Sequence, residues 1–145
     1  MFNHILVPVE GSSTSSQVLE KSIAIAQAFK STVTLISVVD LYAFVGLGVD
    51  AAYGQVEYHA AAHAEATLAI NSAKPRFEAS AIPVMATVVE GQVIYKSILE
   101  AAAAANADLI VMGSHGRKGL EKLVLGSVAA QVLSHTHLPV MIVRE

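Results

Sequence analysis

Gly113, Gly116, Gly126 and Ser127 stand at the spacing Gly-x2-Gly-x9-Gly-Ser, with His115, Arg117, Lys118 and Lys122 between them. Glycines that reach positive φ let backbone amides close on a ligand. Successive amides in such a turn form an anion-binding nest. Gly126-Ser127 stands before an apolar periodic stretch, which predicts a helix with Ser127 as its N-cap. A helix N-terminus attracts phosphate through its free amides and its dipole. The Ser127 hydroxyl adds a donor, and Arg117 and Lys118 add charge. Charge-assisted hydrogen bonds contribute about 1.5–3 kcal/mol each, so a few of them reach micromolar affinity after the ordering costs. The chemistry indicated is the cradling of a phosphorylated small molecule.

Other residues carry less. His59 and His63 share a helix face at i, i+4, but HExxH is absent and Glu65 falls on another face. An exposed helix face therefore outweighs a metal site. His135 and His137 follow the last helical stretch, where a histidine bonds terminal carbonyls. His115 lies inside the glycine loop and is read as a ligand contact; no neighbouring nucleophile or orienting acid makes it a general base. The chain lacks GxxxxGK[ST], GxSxG and GxGxxG, and it lacks the HIGH-type and SGGxDS-type motifs of adenylyl transfer. Walker-type hydrolysis, serine hydrolysis and Rossmann dehydrogenation lose their main support.

The elements that must hold the loop follow from hydrophobic pattern. Residues 5–9 are a short, nearly continuous apolar run, as in a parallel strand buried on both faces, with Pro8 near its end. Small hydroxyl residues then precede a helix whose stripe is Leu19, Ile23 and Ala26, widened by Val18, Ile25 and Phe29. Residues 32–39 are rich in β-branched side chains and read as a second strand. Residues 40–54 are irregular, and residues 55–73 form an alanine-rich helix that Pro75 should end or kink. A third strand over 83–89 follows. Next come a helix over 91–105 with Ile94, Ile98 and Ala102 on one face, a buried strand over 109–112, a helix from Ser127 to about 134, and a last strand over 140–143. This alternation predicts one α/β domain spanning 1–145, a doubly wound five-stranded parallel sheet with helices on both faces. Ligands in such sheets bind beyond the strands' carboxyl ends, where strand order reverses. The first strand ends in Val9-Glu10-Gly11-Ser12, so this turn and the glycine loop line one crevice if their strands are neighbours.

The totals narrow the function. A net charge of −3 over 145 residues invites neither nucleic acid nor an anionic membrane. The absence of cysteine excludes disulfides, Cys-ligated zinc and a thiol nucleophile, and suits a reducing compartment. The first residues lack the basic region and apolar run of a signal peptide, and no stretch of about 18 apolar residues is uninterrupted. A cytoplasmic location is expected.

The pattern G-x2-G-x9-G-[ST] is the signature of the nucleotide-binding branch of the universal stress proteins, and the chain resembles that family end to end. Residues 5–9 open as the family does, residues 107–116 run close to its usual Ala-Asp-Leu-Ile-Val-Met-Gly-Ser-His-Gly, and residues 138–143 close it. The resemblance implies strand order 3-2-1-4-5 and a fold like that of the adenine nucleotide α-hydrolases. It implies adenine between Pro8 and Val9 on one side and Val38 on the other. It implies ribose and phosphates on Gly113, His115, Gly116, Arg117, Gly126, Ser127 and Val128, with Met112 leading into the loop. ATP is the expected nucleotide, with AMP and cyclic AMP as alternatives. Glu10 stands where the family usually has Asp, a carboxylate that would contact the ribose or a phosphate-bound Mg²⁺. The added methylene moves it by more than about 1 Å. Glu10 is read equally as a ligand contact and as a solvated loop acid. The resemblance also implies an isologous homodimer through the exposed apolar edge of residues 140–143. Three functions follow: a nucleotide-binding stress regulator, a slow ATPase or phosphotransferase using Ser127 or His115, and a nucleotide-free interaction protein.

Overall fold

In the computed structural model, residues 1–10, 16–40, 51–114 and 125–144 are described. The elements are β1 (His4–Pro8), α1 (Ser16–Phe29), β2 (Thr32–Asp40), α2 (Ala51–Ala79), β3 (Val84–Gly91), α3 (Ile94–Ala104), β4 (Leu109–Gly113), α4 (Ser127–His135) and β5 (Val140–Val143). All neighbouring strands are parallel, and the sheet order is β3-β2-β1-β4-β5.

Successive strand side chains point to opposite faces, and both faces are covered. Ile5, Val7, Val33, Leu35, Leu109 and Val111 pack on Val18, Leu19 and Ala26 of α1 and on Ile70, Ala73 and Phe77 of α2. Leu6, Ile36, Ile110 and Met112 pack on Ile98 and Ala102 of α3 and on Ala129 and Val132 of α4. Burial on both sides explains why β1 and β4 read as continuous apolar runs rather than alternating ones.

Pro75 does not end α2, one of the two outcomes expected of it; the helix runs through it to Ala79. Ala73 and Phe77, on either side of the proline, are both buried in the core. Burying Phe77 returns about 1.5–3 kcal/mol, comparable to the ~3 kcal/mol that an interior proline costs. β3 runs two residues further than its β-branched segment indicates, and α3 begins later, at Ile94.

Three helices end alike. The residues after α1, α2 and α3 with positive φ are Lys30 (55°), Ala81 (60°) and Asn106 (53°). In each case the next amide donates to the carbonyl five residues back: Ser31 to Ala26 (2.8 Å), Ile82 to Phe77 (3.1 Å) and Ala107 to Ala102 (2.9 Å). This is the Schellman closure, which usually employs glycine. None of the three is glycine, so the sequence carries no glycine mark at these helix ends.

Asp108 clips the start of β1. Its carboxylate accepts the amides of Asn3 (2.9 Å) and His4 (3.1 Å), and its own amide donates to the His4 carbonyl (2.9 Å). The His4 ring bridges the Thr32 and Thr34 hydroxyls on β2. Burial works to raise the Asp108 pKa, but the backbone amides of Asn3, His4 and Asp108 itself, with the His4 charge, outweigh it and hold the carboxyl below its ordinary 3.8. Burial lowers the His4 pKa from 6.5, against the opposing pull of Asp108.

Two predictions follow from these contacts. Ala81→Gly removes the left-handed strain of an L residue, about 1–2 kcal/mol, while giving back part of it to unfolded-chain entropy. We expect a net gain near 1 kcal/mol in urea denaturation, with Asn106→Gly close to neutral because asparagine tolerates this region. Both folded pKa values are depressed, so each group's stability contribution is complete above its unfolded value and is lost as pH falls through the folded one. Stability should decline below pH 6.5 through His4 and again below pH 3.8 through Asp108. Asp108→Asn should lower the urea midpoint at neutral pH and erase the second step.

Candidate functional site

Strand order reverses at β1, whose following helix lies on one face of the sheet while α4 after β4 lies on the other. A cavity of about 310 Å³ opens over the carboxyl ends of β1 and β2, within the lower range of small-molecule sites. Pro8, Val9 and Glu10 form its wall on the β1 side, and Val38, Val39 and Asp40 form it on the β2 side. Val9 is buried, and its amide donates to the Ile36 carbonyl at 2.7 Å, so the β1 end is fixed to β2 beyond the strand proper.

The α4 N-terminus supplies Gly126, Ser127 and Val128. Ser127 is not the N-cap expected from the sequence. Gly126 holds that position in extended backbone (φ −61°, ψ 154°), and its carbonyl accepts the Ala130 amide at 2.9 Å. The first helical hydrogen bond therefore starts one residue earlier, and Ser127 is the first residue of the helix. As a glycine, Gly126 brings no side-chain acceptor to this end, where the first amides of a helix have no partner within the helix itself. The Gly126 amide donates to the Ser114 carbonyl at 2.6 Å, and the Ser114 amide donates to Val143 at 3.0 Å. Both ends of the 115–125 connection are thereby pinned together beside β5.

Seven of the candidate residues meet at this cavity: Pro8, Val9, Glu10, Val38, Gly126, Ser127 and Val128. Met112 is buried against α3 and α4, Gly113 closes β4, and neither is part of the cavity wall. His115, Gly116 and Arg117 lie outside the described residues, as do Lys118 and Lys122. Among the described residues the wall carries two acids, Glu10 and Asp40, and no Lys or Arg.

Sequence reasoning missed six lining residues. Ile94 and Ile98 were recognised as an apolar helix face, but the pattern does not say that this face meets a cavity as well as the core. Val39 and Asp40 sit at the strand end, where the β-branched run stops. Tyr58 and Ala62 are one turn apart on α2; the i, i+4 spacing was legible, whereas the approach of α2 to β2 is a tertiary fact.

The other histidines have ordinary partners. His59 Nε2 meets Glu90 Oε1 at 2.8 Å, and the His63 ring is 6.2 Å from that of His59. Among the described residues, no group of three His, Asp or Glu side chains is arranged to hold a metal ion. His135 Nδ1 bonds the Gln131 carbonyl at 2.8 Å, the helix-end role expected for it, and its ring packs on Tyr95 at 4.7 Å.

The chain was compared with known proteins. Residues 1–144 match the model of the universal stress protein family. Universal stress protein MJ0531 of Methanocaldococcus jannaschii is 34% identical over 145 residues, covering 100% of this chain and 84% of that protein. The solved structure of MJ0577, from the same organism, superposes with a TM-score of 0.87 at 26% identity, covering 100% of this chain and 97% of the other. A universal stress protein of Archaeoglobus fulgidus, solved in complex with dAMP, superposes with a TM-score of 0.70 at 17% identity, covering 98% of each chain. With the reversed-order parallel sheet, the end-to-end family match and the glycine pattern all in agreement, this chain belongs to the universal stress protein family.

Proposed function

We propose that the protein binds an adenine nucleotide, ATP foremost, in the cavity over β1 and β2, and that occupancy is read by partners as a stress-response signal. The observation that carries this reading is the pairing of an apolar cleft with the N-terminus of α4, opened by a glycine N-cap, in one cavity. An apolar wall suits a base, and free helical amides suit a phosphate. The dAMP complex of the related fold supports the choice of an adenine nucleotide. The candidate set remains Pro8, Val9, Glu10, Val38, Met112, Gly113, His115, Gly116, Arg117, Gly126, Ser127 and Val128. Phosphate charge would be balanced by α4, by Arg117 and by Mg²⁺, for which Glu10 is the carboxylate candidate. The residues present suit positioning better than turnover, so hydrolysis by this chain would be slow at most.

A second reading, a nucleotide-free interaction protein, draws on the acidic wall formed by Glu10 and Asp40. In either case the β5 edge, with Met141 39% exposed, is proposed to pair with the same strand of a second copy in an isologous dimer. Among the described residues no helix is long and apolar enough to cross a membrane. We propose a cytoplasmic site of action, which suits a chain without cysteine.

Ser127→Glu separates the two readings. At the first turn of α4 an acid interacts favourably with the helix dipole, by about 0.3–1 kcal/mol, so the fold should be unharmed or slightly firmer. The same charge opposes a phosphate. Calorimetry with Mg²⁺ and ATP should give one site per chain for the wild type and at least a tenfold loss for Ser127→Glu, at unchanged or higher melting temperature. Absence of ATP binding by the wild type would leave the nucleotide-free reading. Met141→Lys, which puts a solvated charge on the sheet edge, should convert a dimer to a monomer in sedimentation. A dimer that persists would argue against the β5 edge as the interface.

A further inference from the structure

β3 and α3 are joined by Gln92 and Val93 alone, and Val93 is already the N-cap of the helix. So short a link folds the first turn of α3 back on the end of β3. Ser97 is buried there, and its hydroxyl donates to the Val93 carbonyl at 3.3 Å. Gly91, the last residue of β3, lies directly against it. A Cβ at position 91 would overlap the Ser97 hydroxyl and stand 3.2 Å from the Ser97 Cβ, inside ordinary carbon–carbon contact. Gly91 belongs to a strand and is not in the left-handed region. Glycine is required here by space and not by backbone conformation.

The contact sits between two parts of the cavity wall. Gly91 pairs across the sheet with Asp40, and Ile94 opens the helix that follows it; Asp40 and Ile94 both line the cavity. Ile98, next to Ser97, lines it too and belongs to the core cluster on which Val38 and Ile94 pack. Among the described residues β3 pairs with β2 alone. A side chain at 91 therefore makes room either by lifting the first turn of α3 off the sheet or by bending the end of β3 away from Asp40. Rotating the Ser97 hydroxyl does not suffice. It breaks the bond to Val93 in a buried place, which is costly, and it leaves the two Cβ atoms too close. Either movement shifts an apolar wall of the cavity. Neither acts directly on the start of α4, which is held by the Gly126 bond to Ser114.

We propose that Gly91 is a positioning residue for the cavity: its contact with Ser97 sets how closely Ile94 and Ile98 approach Val38, and so sets the width of the apolar end where a base is held. This rests on the nucleotide reading above and adds what fixes the base end. The phosphate end is the α4 N-terminus. A flat base gains from an apolar slot only while both walls touch it, since dispersion contact falls off within a fraction of an ångström. The Gly91–Ser97 pair therefore governs affinity for base-bearing ligands and leaves affinity for a bare phosphate chain unchanged.

The test measures ATP and inorganic tripolyphosphate by calorimetry, with melting temperatures, on the wild type, Gly91→Ala, Ser97→Gly and two double variants that combine Gly91→Ala with Ser97→Gly or with Ser97→Ala. Gly91→Ala should lose ATP affinity about tenfold or more and keep its tripolyphosphate affinity. Adding Ser97→Gly clears both clashing atoms, so this double variant should return to within about threefold of Ser97→Gly alone, the non-additivity expected of residues in contact. Adding Ser97→Ala removes the hydroxyl but keeps the close Cβ pair, so its ATP affinity should fall between. Should Gly91→Ala not fold, the two double variants carry the test, and equal ATP affinity in both overturns the proposal. Undiminished ATP affinity in Gly91→Ala overturns it and leaves the nucleotide reading standing, as does a loss that Ser97→Gly does not repair. Equal losses for ATP and tripolyphosphate assign Gly91 a general structural role and also overturn it. A wild type that binds ATP but no tripolyphosphate overturns the division into base and phosphate ends, and the proposal with it. A wild type that binds no ATP overturns both readings.

Discussion

The structure depends on β1 being buried on both faces and paired on both edges. Ile5, Leu6 and Val7 are inaccessible to solvent, with β2 on one side and β4 on the other. A parallel strand in that position needs crossover helices on opposite faces of the sheet. The chain leaves β1 through α1 on one face and leaves β4 through α4 on the other. The end of β1 and the start of α4 meet at the carboxyl end of the sheet, and both line the cavity there. The site is in this sense a consequence of strand order. The sequence needs to supply only a wall chemistry for a cleft that the topology already opens.

That wall is built from element ends, where backbone groups run out of regular partners. Beyond β1, Val9 continues the ladder for one more bond to Ile36. Before α4, Gly126 bonds back to Ser114 and forward, through its carbonyl, to Ala130. These two short bonds fix the cavity's opposite sides to β2 and β4 without using any side chain. Specificity can then reside in a few residues, because the frame does not rely on them. The far end of the sheet shows the opposite economy: the Asp108 carboxylate and the His4 ring spend their polar atoms joining β1 to its neighbours.

Much of this was legible in the sequence because buried parallel strands have a strong signature. The runs at 5–9 and 109–112 identified β1 and β4, and the glycine pattern pointed to the crevice between them. Ser127 was read one residue off as a cap, since a glycine in extended backbone holds the N-cap position at only a small cost relative to a hydroxyl residue. Of the two outcomes expected at Pro75, an end to the helix did not occur: its local cost is visible in sequence, while the burial of Phe77 that offsets it is tertiary. The closures at Lys30, Ala81 and Asn106 carry no glycine mark. Tyr58 was missed for a related reason: it belongs to a helix identified correctly, but its neighbours across the cavity come from distant parts of the chain, whereas Asp40 was read as the start of an irregular stretch and is the last residue of β2.

The charge distribution bears on what the cavity selects. Glu10 and Asp40 both line it, whereas the basic residues of the glycine loop lie outside the described residues. Two carboxylates near a phosphate oppose it at short range by several kcal/mol in a partly desolvated cleft. Helix amides offset only part of that, about 0.3–1 kcal/mol for each charge at a helix end in typical exposed geometry. On the proposed nucleotide reading, the remainder would come from the groups already interacting with Glu10 and Asp40, from Arg117 and Lys118, or from a divalent cation accompanying the nucleotide. A neutral nucleoside would face no such penalty. On that reading, discrimination between nucleoside and nucleotide would turn on the positive charge delivered to the cavity rather than on the apolar walls.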